Sequence, residues 1–338
     1  LSVDGGATFS PLASFAGSVD QPSVVANDLT SGGVALWIVW NQSNVMVARG
    51  ALVTGLGVAH VGAFTTLQTA PTTSSCNFGD LAVAPSGAVV QVCGNPSGGQ
   101  GPSNLRVNTD PDGLTATLGF GPSVIATTTN VGGFDFIPAQ NSRSVDPEAG
   151  LAYDRNPASP HFGRLYLLYT EEATPESHDL NIQLLHSDDD GLVWSKGVLQ
   201  INTDATTRSQ FLPKIASDKA TGEVAICWHD ARNSGTNTAM EEWCDSFTPV
   251  GFPTFRGNVR VSDGASVSTD IQMDFGDYSG LTVIDGVAHP IWADSSNSTG
   301  HNPDNTSEFD TYTDKYFLSL FFDGFEAGNS SAWSASVP

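Results

Sequence analysis

The chain carries short apolar runs that are interrupted every few residues by glycine, proline or aspartate. In residues 224–228 every position is β-branched, aromatic or small, and Gly222 and Asp230 bound the run. Runs of this length and composition are typical of buried β-strands and are too short for helices. The long Ala/Leu/Glu/Lys-rich stretches of helical proteins are absent. The pattern therefore predicts an all-β protein.

One hairpin pattern occurs five times along the chain. Each copy is an apolar strand, a turn with Gly, Asp or Pro, and a second apolar strand that often ends in Trp or Tyr. The copies begin at Gln21, Asp80, Asp146, Gln210 and Asp277. Successive starts lie about 60–70 residues apart, so a second strand pair fits in each unit, and four strands is the size of a propeller blade. We predict a β-propeller with five recognisable four-stranded blades, because a β-sandwich or a β-helix would not explain this repeat.

Two segments share the pattern S-x-D-x-G-x-x followed by an aromatic residue, Phe at positions 2–9 and Trp at positions 187–194. Ser and Asp side chains hydrogen-bond backbone amides in such turns, glycine takes the positive φ, and the aromatic ring packs beneath. We interpret these residues as structural. They are Ser2, Asp4, Gly6, Ser187, Asp189, Gly191 and Trp194.

These turns, in register with the five hairpins, resemble the Asp-box (BNR) repeats of bacterial sialidase-like secreted β-propellers. Residues 210–232 and 275–300 also resemble stretches of that family. The resemblance covers most of the chain and implies a propeller over residues 1–320, with residues 321–338 as a C-terminal tail. Sialidases have six blades, so six remain open if an N-terminal blade is missing.

In that family the Asp-box joins the third and fourth strands of a blade. The first of the two boxes opens this chain, so its third strand must come from elsewhere. Residues 309–320 are strand-like and stand where the last blade needs its third strand. We therefore expect residues 1–15 to supply the fourth strand of that blade and to close the ring.

The four cysteines form two local pairs, Cys76 with Cys93 and Cys227 with Cys244, and each pair flanks a predicted hairpin. Four cysteines allow three pairings, and the sequence alone does not choose among them. We favour the local pairs because each would link adjacent strands, and the spacing is unlike that of a zinc site. Disulfides imply an oxidising compartment. Together with the resemblance, they predict a secreted bacterial protein.

The net charge is −23, with 13 Lys plus Arg against 36 Asp plus Glu. A surface this acidic repels phosphate backbones and anionic lipid, which argues against nucleic acid as a partner. No apolar run approaches the roughly 18–20 residues that span a bilayer, so we expect no membrane span. The chain begins at Leu1 and shows no signal peptide, as expected of a processed chain.

The candidate site lies on the propeller face that carries the entries to first strands and the exits from second strands, where loops gather over the channel. A sialidase binds the substrate carboxylate through arginine forks, uses a tyrosine activated by a glutamate as nucleophile, and uses an aspartate as general acid. By this resemblance the catalytic residues are Tyr278, Glu171 and Asp230. The substrate-binding residues are Arg143, Arg208, Arg232, His229 and Asp277.

The alternatives at these positions are structural. Each arginine would instead form a salt bridge within a blade, His229 would be a hydrogen-bonded loop histidine, and Tyr278 would be a packed phenol. The Arg-Ile-Pro motif of the family is also missing, and Phe136-Ile137-Pro138 stands where it would be sought. Trp40, Trp228 and Trp292 end second strands and are expected in the core between blades.

The loop after Trp292 is rich in oxygen ligands, which include Asp294, Asn297, Asp304 and Asp310. Ca²⁺ takes 6–8 oxygens and tolerates irregular loops, so this loop is a candidate calcium site; an ordinary polar loop is the alternative. No other cofactor is expected.

The functional prediction is a secreted, sialidase-like propeller that acts on or binds extracellular glycans or glycoproteins through the face opposite the Asp-boxes. Whether it is an enzyme stays open, with a glycoside hydrolase as the enzymatic form. The alternative is a non-catalytic structural, adhesive or self-assembling protein of the cell surface.

Overall fold

The computed structural model of the protein describes residues 1–268, 274–296 and 309–318. The regular structure of these residues is almost entirely strand, with three short 3₁₀ turns at Val58–His60, Gly113–Thr115 and Pro249–Gly251. The prediction of an all-β propeller with five four-stranded blades is confirmed. Within the same residues, no helix has the length and hydrophobicity that crossing a bilayer needs. The predicted tail, residues 321–338, lies outside the described residues.

The first three blades are antiparallel sheets with their strands in chain order. Blade 1 contains β1 (Asp20–Asp28), β2 (Val34–Asn41), β3 (Met46–Val53) and β4 (Gln68–Thr69). Blade 2 contains β5 (Asn77–Val83), β6 (Val89–Asn95), β7 (Ser103–Asp110) and β8 (Val124–Thr129). A two-stranded ribbon of β9 (Asp135–Ile137) and β10 (Gln140–Val145) follows. Blade 3 contains β11 (Gly150–Tyr153), β12 (Leu165–Glu172), β13 (Leu180–Ser187) and β14 (Leu199–Gln200).

The last two blades carry additional short strands. Blade 4 contains β15 (Gln210–Ser217), β16 (Val224–Asp230), β17 (Ala239–Phe247) and β18 (Val259–Arg260), and β19 (Ser266–Val267) pairs with the other end of β17. Blade 5 contains β20 (Gly280–Ile284), β21 (Val287–Asp294), β22 (Asp310–Thr313) and β23 (Tyr316–Phe317). Both β22 and β23 pair with β21, so the predicted third strand is present in two pieces.

The first strands of the five blades, β1, β5, β11, β15 and β20, surround a central channel of about 900 Å³. The apolar side chains fill the spaces between neighbouring blades. Leu168 and Ile182 of blade 3, for example, pack with Ile226 and Phe247 of blade 4. A strand that is covered on both faces needs no polar alternation, which explains the continuous apolar runs. Among the expected core residues, Trp40, Trp228 and Trp292 are 2%, 0% and 3% exposed.

The expected ring-closing strand in residues 1–15 is not formed, because the first strand of the chain begins at Asp20. This segment packs against blade 1 instead. Phe15 stacks on Trp40 with 5.6 Å between ring centroids, contacts Phe64 at 5.2 Å, and has the Arg49 guanidinium 4.9 Å above its ring. The half-buried Phe15 thus attaches this segment to blade 1. Both β1 and β20 line the channel without it.

Both local cysteine pairs are disulfides, as predicted. Cys227 and Cys244 are direct cross-strand partners in β16 and β17. The second bridge joins Cys76, just before β5, to Cys93 in β6. Each bridge therefore ties two neighbouring strands of one blade, and together they indicate an oxidising, non-cytoplasmic compartment.

The two S-x-D-x-G segments fold into equivalent turns. The Ser187 hydroxyl accepts the Gly191 amide at 2.9 Å, and Asp189 accepts the amide of Val193 at 2.8 Å. The Ser2 and Asp4 side chains repeat these contacts with the amides of Gly6 and Thr8, at 2.8 and 2.9 Å. The Trp194 indole donates to the Gly191 carbonyl at 3.0 Å. Phe9, at the matching position of the first turn, is 75% exposed, so the expected packing of that ring is wrong.

Candidate functional site

The first strands of blades 1, 2 and 4 are irregular at the same place. The pairing register shifts between Asp20 and Ser23, between Asn77 and Asp80, and between Phe211 and Lys214. A residue with positive φ lies inside each irregularity: Gln21 at 48°, Phe78 at 55° and Leu212 at 51°. β-Bulges re-aim the side chains that follow them and are frequent beside functional sites. The residues that follow, Ser23, Asp80 and Lys214, all line the channel.

These side chains meet at one end of the channel. The Asp80 carboxylate accepts the Ser23 hydroxyl at 2.7 Å and the Leu151 amide at 3.0 Å. The Lys214 ammonium forms an ion pair with Glu148, which has a positive φ of 43° and directly precedes blade 3. We call Ser23, Asp80, Glu148, Lys214 and Tyr278 the channel mouth, since all five line this cavity.

A buried carboxyl group, that of Asp146, lies behind the channel mouth. Burial raises the pKa of Asp146 well above its ordinary range, and the charge of Glu148 raises it further. Asp146 also accepts the Glu148 amide at 2.6 Å, so it lies directly behind that residue. Burial alone would lower the pKa of Lys214, but Glu148, Asp80 and Asp146 raise it. The result is a charged lysine that faces carboxylates, with a buried carboxyl of raised pKa behind them.

Blade 5 contributes Tyr278, which is 58% exposed. Burial of part of the side chain raises the pKa of its phenol, and the charges of Asp20 and Glu148 raise it further. The phenol therefore stays protonated at neutral pH and is a hydrogen-bond donor. A tyrosine nucleophile would need either a lowered pKa or an adjacent base to take its proton.

The ribbon of β9 and β10 holds the segment that carries Tyr278. The Gln140 side chain accepts the Phe275 amide at 2.6 Å and donates to the Gly276 carbonyl at 2.9 Å. Arg143 forms an ion pair with Asp277, and its amide donates to the Asp274 carboxylate at 2.9 Å. The ribbon thus connects the loop before blade 3 to the loop before blade 5, and it fixes one side of the channel mouth.

The three predicted arginines lie in two places. Arg143 is beside the channel mouth with Asp277. Arg208 and Arg232 line a separate groove formed by residues 205–208 and 232–235 of blade 4. Arg208 donates to the Gly235 carbonyl at 2.8 Å, and Arg232 pairs with Asp230 at 2.6 Å and lies 4.0 Å above the Trp243 ring. Each guanidinium therefore has a partner within the protein.

The predicted residues His229, Asp230 and Glu171 are engaged in contacts away from the channel mouth. His229 is 1% exposed and lies 2.9 Å from the buried Glu242 carboxylate. Asp230 is also 1% exposed and accepts the Trp228 indole at 2.7 Å as well as Arg232.

Glu171 lies where blades 2 and 3 meet. Its carboxylate accepts the amide of Asn130 at 2.8 Å and the hydroxyl of Thr129 at 3.3 Å. Burial raises the pKa of this carboxyl, and these hydrogen bonds offset only part of that effect. The residue ties the end of blade 2 to blade 3.

The candidate calcium loop is only partly described. Asp294 accepts the Trp292 indole at 2.9 Å and the Ser296 amide at 2.6 Å, and Asp310 is its cross-strand partner. Asn297 and Asp304 lie outside the described residues. In the part of the chain that is described, no three His, Cys, Asp or Glu side chains are grouped as metal ligands. The calcium site stays a prediction.

Sequence reasoning placed Arg143, Asp277 and Tyr278 near the channel but missed Ser23, Asp80, Glu148 and Lys214 as site residues. The signal present in the sequence is a polar side chain early in an otherwise apolar first strand. Ser23, Asp80 and Lys214 each directly follow the bulge of such a strand. A polar residue at this place in the innermost strand points to the channel.

No family model matches the sequence, and no curated protein matches it. Solved structures similar to this chain include an N-acetylgalactosamine deacetylase from F. plautii, with 13% identity, a TM-score of 0.47, and coverage of 85% of this chain and 83% of that one. An α-L-arabinofuranosidase of Fusarium graminearum has 11% identity, a TM-score of 0.45, and coverage of 89% and 93%. An endo-arabinase from Bacteroides thetaiotaomicron has 11% identity, a TM-score of 0.46, and coverage of 88% and 94%.

Proposed function

We propose that the protein binds an uncharged glycan at the channel mouth and hydrolyses a glycosidic bond there. The observation that carries this proposal is the convergence of Asp80, Glu148 and Lys214 from three blades, with the buried Asp146 behind Glu148. Glycoside hydrolysis generally uses two carboxyl groups that flank the scissile bond.

The residues of the channel mouth have distinct roles in this proposal. Asp80 and Glu148 line the channel and are the carboxyl groups that reach the sugar. Asp146 is a positioning residue, because it is 5% exposed and holds the backbone of Glu148. Lys214 orients the Glu148 carboxylate, and the protonated phenol of Tyr278 donates to a sugar hydroxyl.

The balance of charge favours an uncharged sugar. Around the channel mouth, the carboxylates of Asp20, Asp80, Glu148 and Asp277 outnumber the cations of Arg143 and Lys214. Like charges that face each other at an interface are costly, so an acidic sugar is disfavoured. A sialidase activity, which the sequence resemblance implies, would require guanidinium groups released from Asp277, Gly235 and Asp230.

We also propose that the protein works outside the cytoplasm, as a secreted bacterial protein with extracellular glycans or glycoproteins as partners. The two disulfides support this location. The S-x-D-x-G turns and the sequence resemblance support the bacterial, secreted class. A purely structural or assembly role is the alternative.

The test is a panel of aryl glycosides and short oligosaccharides of neutral, amino and acidic sugars. We expect turnover of a neutral glycoside, no turnover of sialic or uronic acid glycosides, and an unchanged rate in Arg208→Ala. Turnover of a sialoside that requires Arg208 would contradict the proposed site and support a sialidase. A glycan bound tightly without turnover would support an adhesive module, and neither binding nor turnover would favour the structural alternative.

A further inference from the structure

The ribbon exposes two aromatic side chains on one face. Phe134 directly precedes β9 and Phe136 lies within it; these side chains are 47% and 42% exposed, whereas Asp135 and Ile137 are buried. The two exposed side chains stand on either side of the buried Asp135, so both point outward from this segment. Polar residues at positions 134 and 136 would have given the same alternation of exposed and buried side chains. Two exposed phenyl side chains two residues apart are a candidate apolar contact surface.

A third ring connects these two to the channel. Phe78 lines the channel and lies two residues before Asp80. Its ring is 5.7 Å from that of Phe134 and nearly perpendicular to it, at 88°. We call Phe78, Phe134 and Phe136 the aromatic platform. It begins at the channel mouth and continues outward over β9.

The base of the platform is held rigidly by backbone packing. A methyl group on Gly132 would lie 2.0 Å from the Gly99 carbonyl oxygen, and one on Gly133 would lie 2.6 Å from the backbone of Ser97. The Phe134 amide donates to the Gly99 carbonyl at 2.9 Å. The far end of the ribbon is bound to residues 274–277 through Gln140 and Arg143. A platform fixed at both ends loses little conformational freedom on binding.

We propose that the aromatic platform binds a second sugar unit of the glycan whose first unit occupies the channel mouth. The ligand is then an uncharged oligosaccharide that extends from the channel over β9, and this inference rests on the proposed function. Sugar rings present faces lined by C–H groups, and these pack on the electron-rich face of a phenyl ring without any charge. Continuity through Phe78 places this contact one ring away from Asp80.

The test compares kcat/KM for an aryl monosaccharide and for an oligosaccharide series of the same neutral sugar. In the double variant Phe134→Ala/Phe136→Ala, we expect kcat/KM for the oligosaccharides to fall about tenfold or more, because their second sugar unit loses its contact with the two rings. The monosaccharide should be turned over within about twofold of the original rate, because it does not reach the platform. Phe162→Ala is the matched control, since Phe162 is 42% exposed in the β11–β12 connection, on the opposite propeller face. This control should change neither rate.

Equal losses on both substrates, or no loss on either, would overturn the inference. If the wild-type protein hydrolyses nothing, the proposed hydrolase function fails, and the platform is tested by gel retardation in soluble neutral polysaccharide. Retardation that is lost in the double variant would still support the platform, and equal migration of both proteins would overturn it. A dimer of the wild-type protein that dissociates in the double variant, measured by sedimentation, would show that a second copy covers these rings and would also overturn it.

Discussion

Glu148→Gln is expected to lower kcat/KM for glycan hydrolysis by about a thousandfold, which is the size of effect that a positioned acid–base or nucleophilic carboxyl contributes. Glutamine keeps the shape of the side chain but can neither carry the charge that pairs with Lys214 nor transfer a proton. Binding should survive, because the Asp80 and Tyr278 contacts to the sugar remain. The measurement is initial-rate kinetics on the substrate found with the panel, beside the melting temperature of each protein.

Glu176→Gln is the matched control. Glu176 is an exposed glutamate in the β12–β13 connection and hydrogen-bonds Gln100 at 2.9 Å, outside the channel. We expect the kcat/KM of this variant to stay within about twofold of the wild-type value. If Glu148→Gln retains most of the activity while it melts at the wild-type temperature, Glu148 is not a catalytic residue.

Asp135→Asn is expected to stabilise the protein at pH 8, an uncommon outcome for a change in a buried residue. Asp135 is fully buried and accepts no hydrogen bond of ordinary geometry from the described residues. Burial and, to a smaller extent, the charge of Glu172 raise the pKa of its carboxyl from 3.8 to about 7, although a hydrogen bond from the Gly132 backbone offsets part of this effect. The folded ribbon thus favours the neutral acid.

The direction of the pH effect follows from this shift. An acid with a raised pKa in the folded state binds its proton more tightly there than in the unfolded chain, so wild-type stability falls as the pH rises from about 4 to about 7. Each pH unit in that window costs at most about 1.4 kcal/mol, so the full effect is about 2–4 kcal/mol by pH 8. Asparagine does not titrate, and the variant should avoid this loss.

Urea unfolding of both proteins at pH 4.5 and pH 8 measures this effect. We expect the Asp135→Asn variant to exceed the wild type at pH 8 and to match it more closely at pH 4.5. Asp263→Asn, a change at an exposed carboxylate, is the control and should shift neither value. A variant that is less stable than the wild type at pH 8 would show that the Asp135 carboxylate is ionised and satisfied in the fold.

The sequence predicted the architecture well because a propeller repeats its signal. Five copies of one hairpin reveal the blade period even when single strands are ambiguous, and each cysteine pair lies within one hairpin. Ring closure was harder to predict, because strand pairing at a blade edge competes with side-chain packing elsewhere. Nothing in the local sequence indicates that Phe15 stacks on Trp40 rather than accompanying a strand to blade 5.

The candidate site was predicted only in part, because topology gives the face of the propeller but not the distance from its axis. Second-strand exits such as Asp230 and Glu171 share the face with the channel mouth but lie between blades, where they cap indoles and amides. First-strand residues such as Asp80 and Lys214 lie nearest the axis. Their direction depends on β-bulges at Phe78 and Leu212, and neither residue type signals a positive φ.

The central claim is that a glycan occupies the channel mouth. The most direct test is a crystal structure of the Glu148→Gln protein soaked with the oligosaccharide that the wild-type protein cleaves. The account predicts a sugar unit within hydrogen-bonding distance of Asp80, of the substituted side chain at position 148 and of Tyr278. It also predicts a second sugar unit over Phe134. Sugar density in the groove of Arg208 and Arg232, with an empty channel mouth, would contradict it.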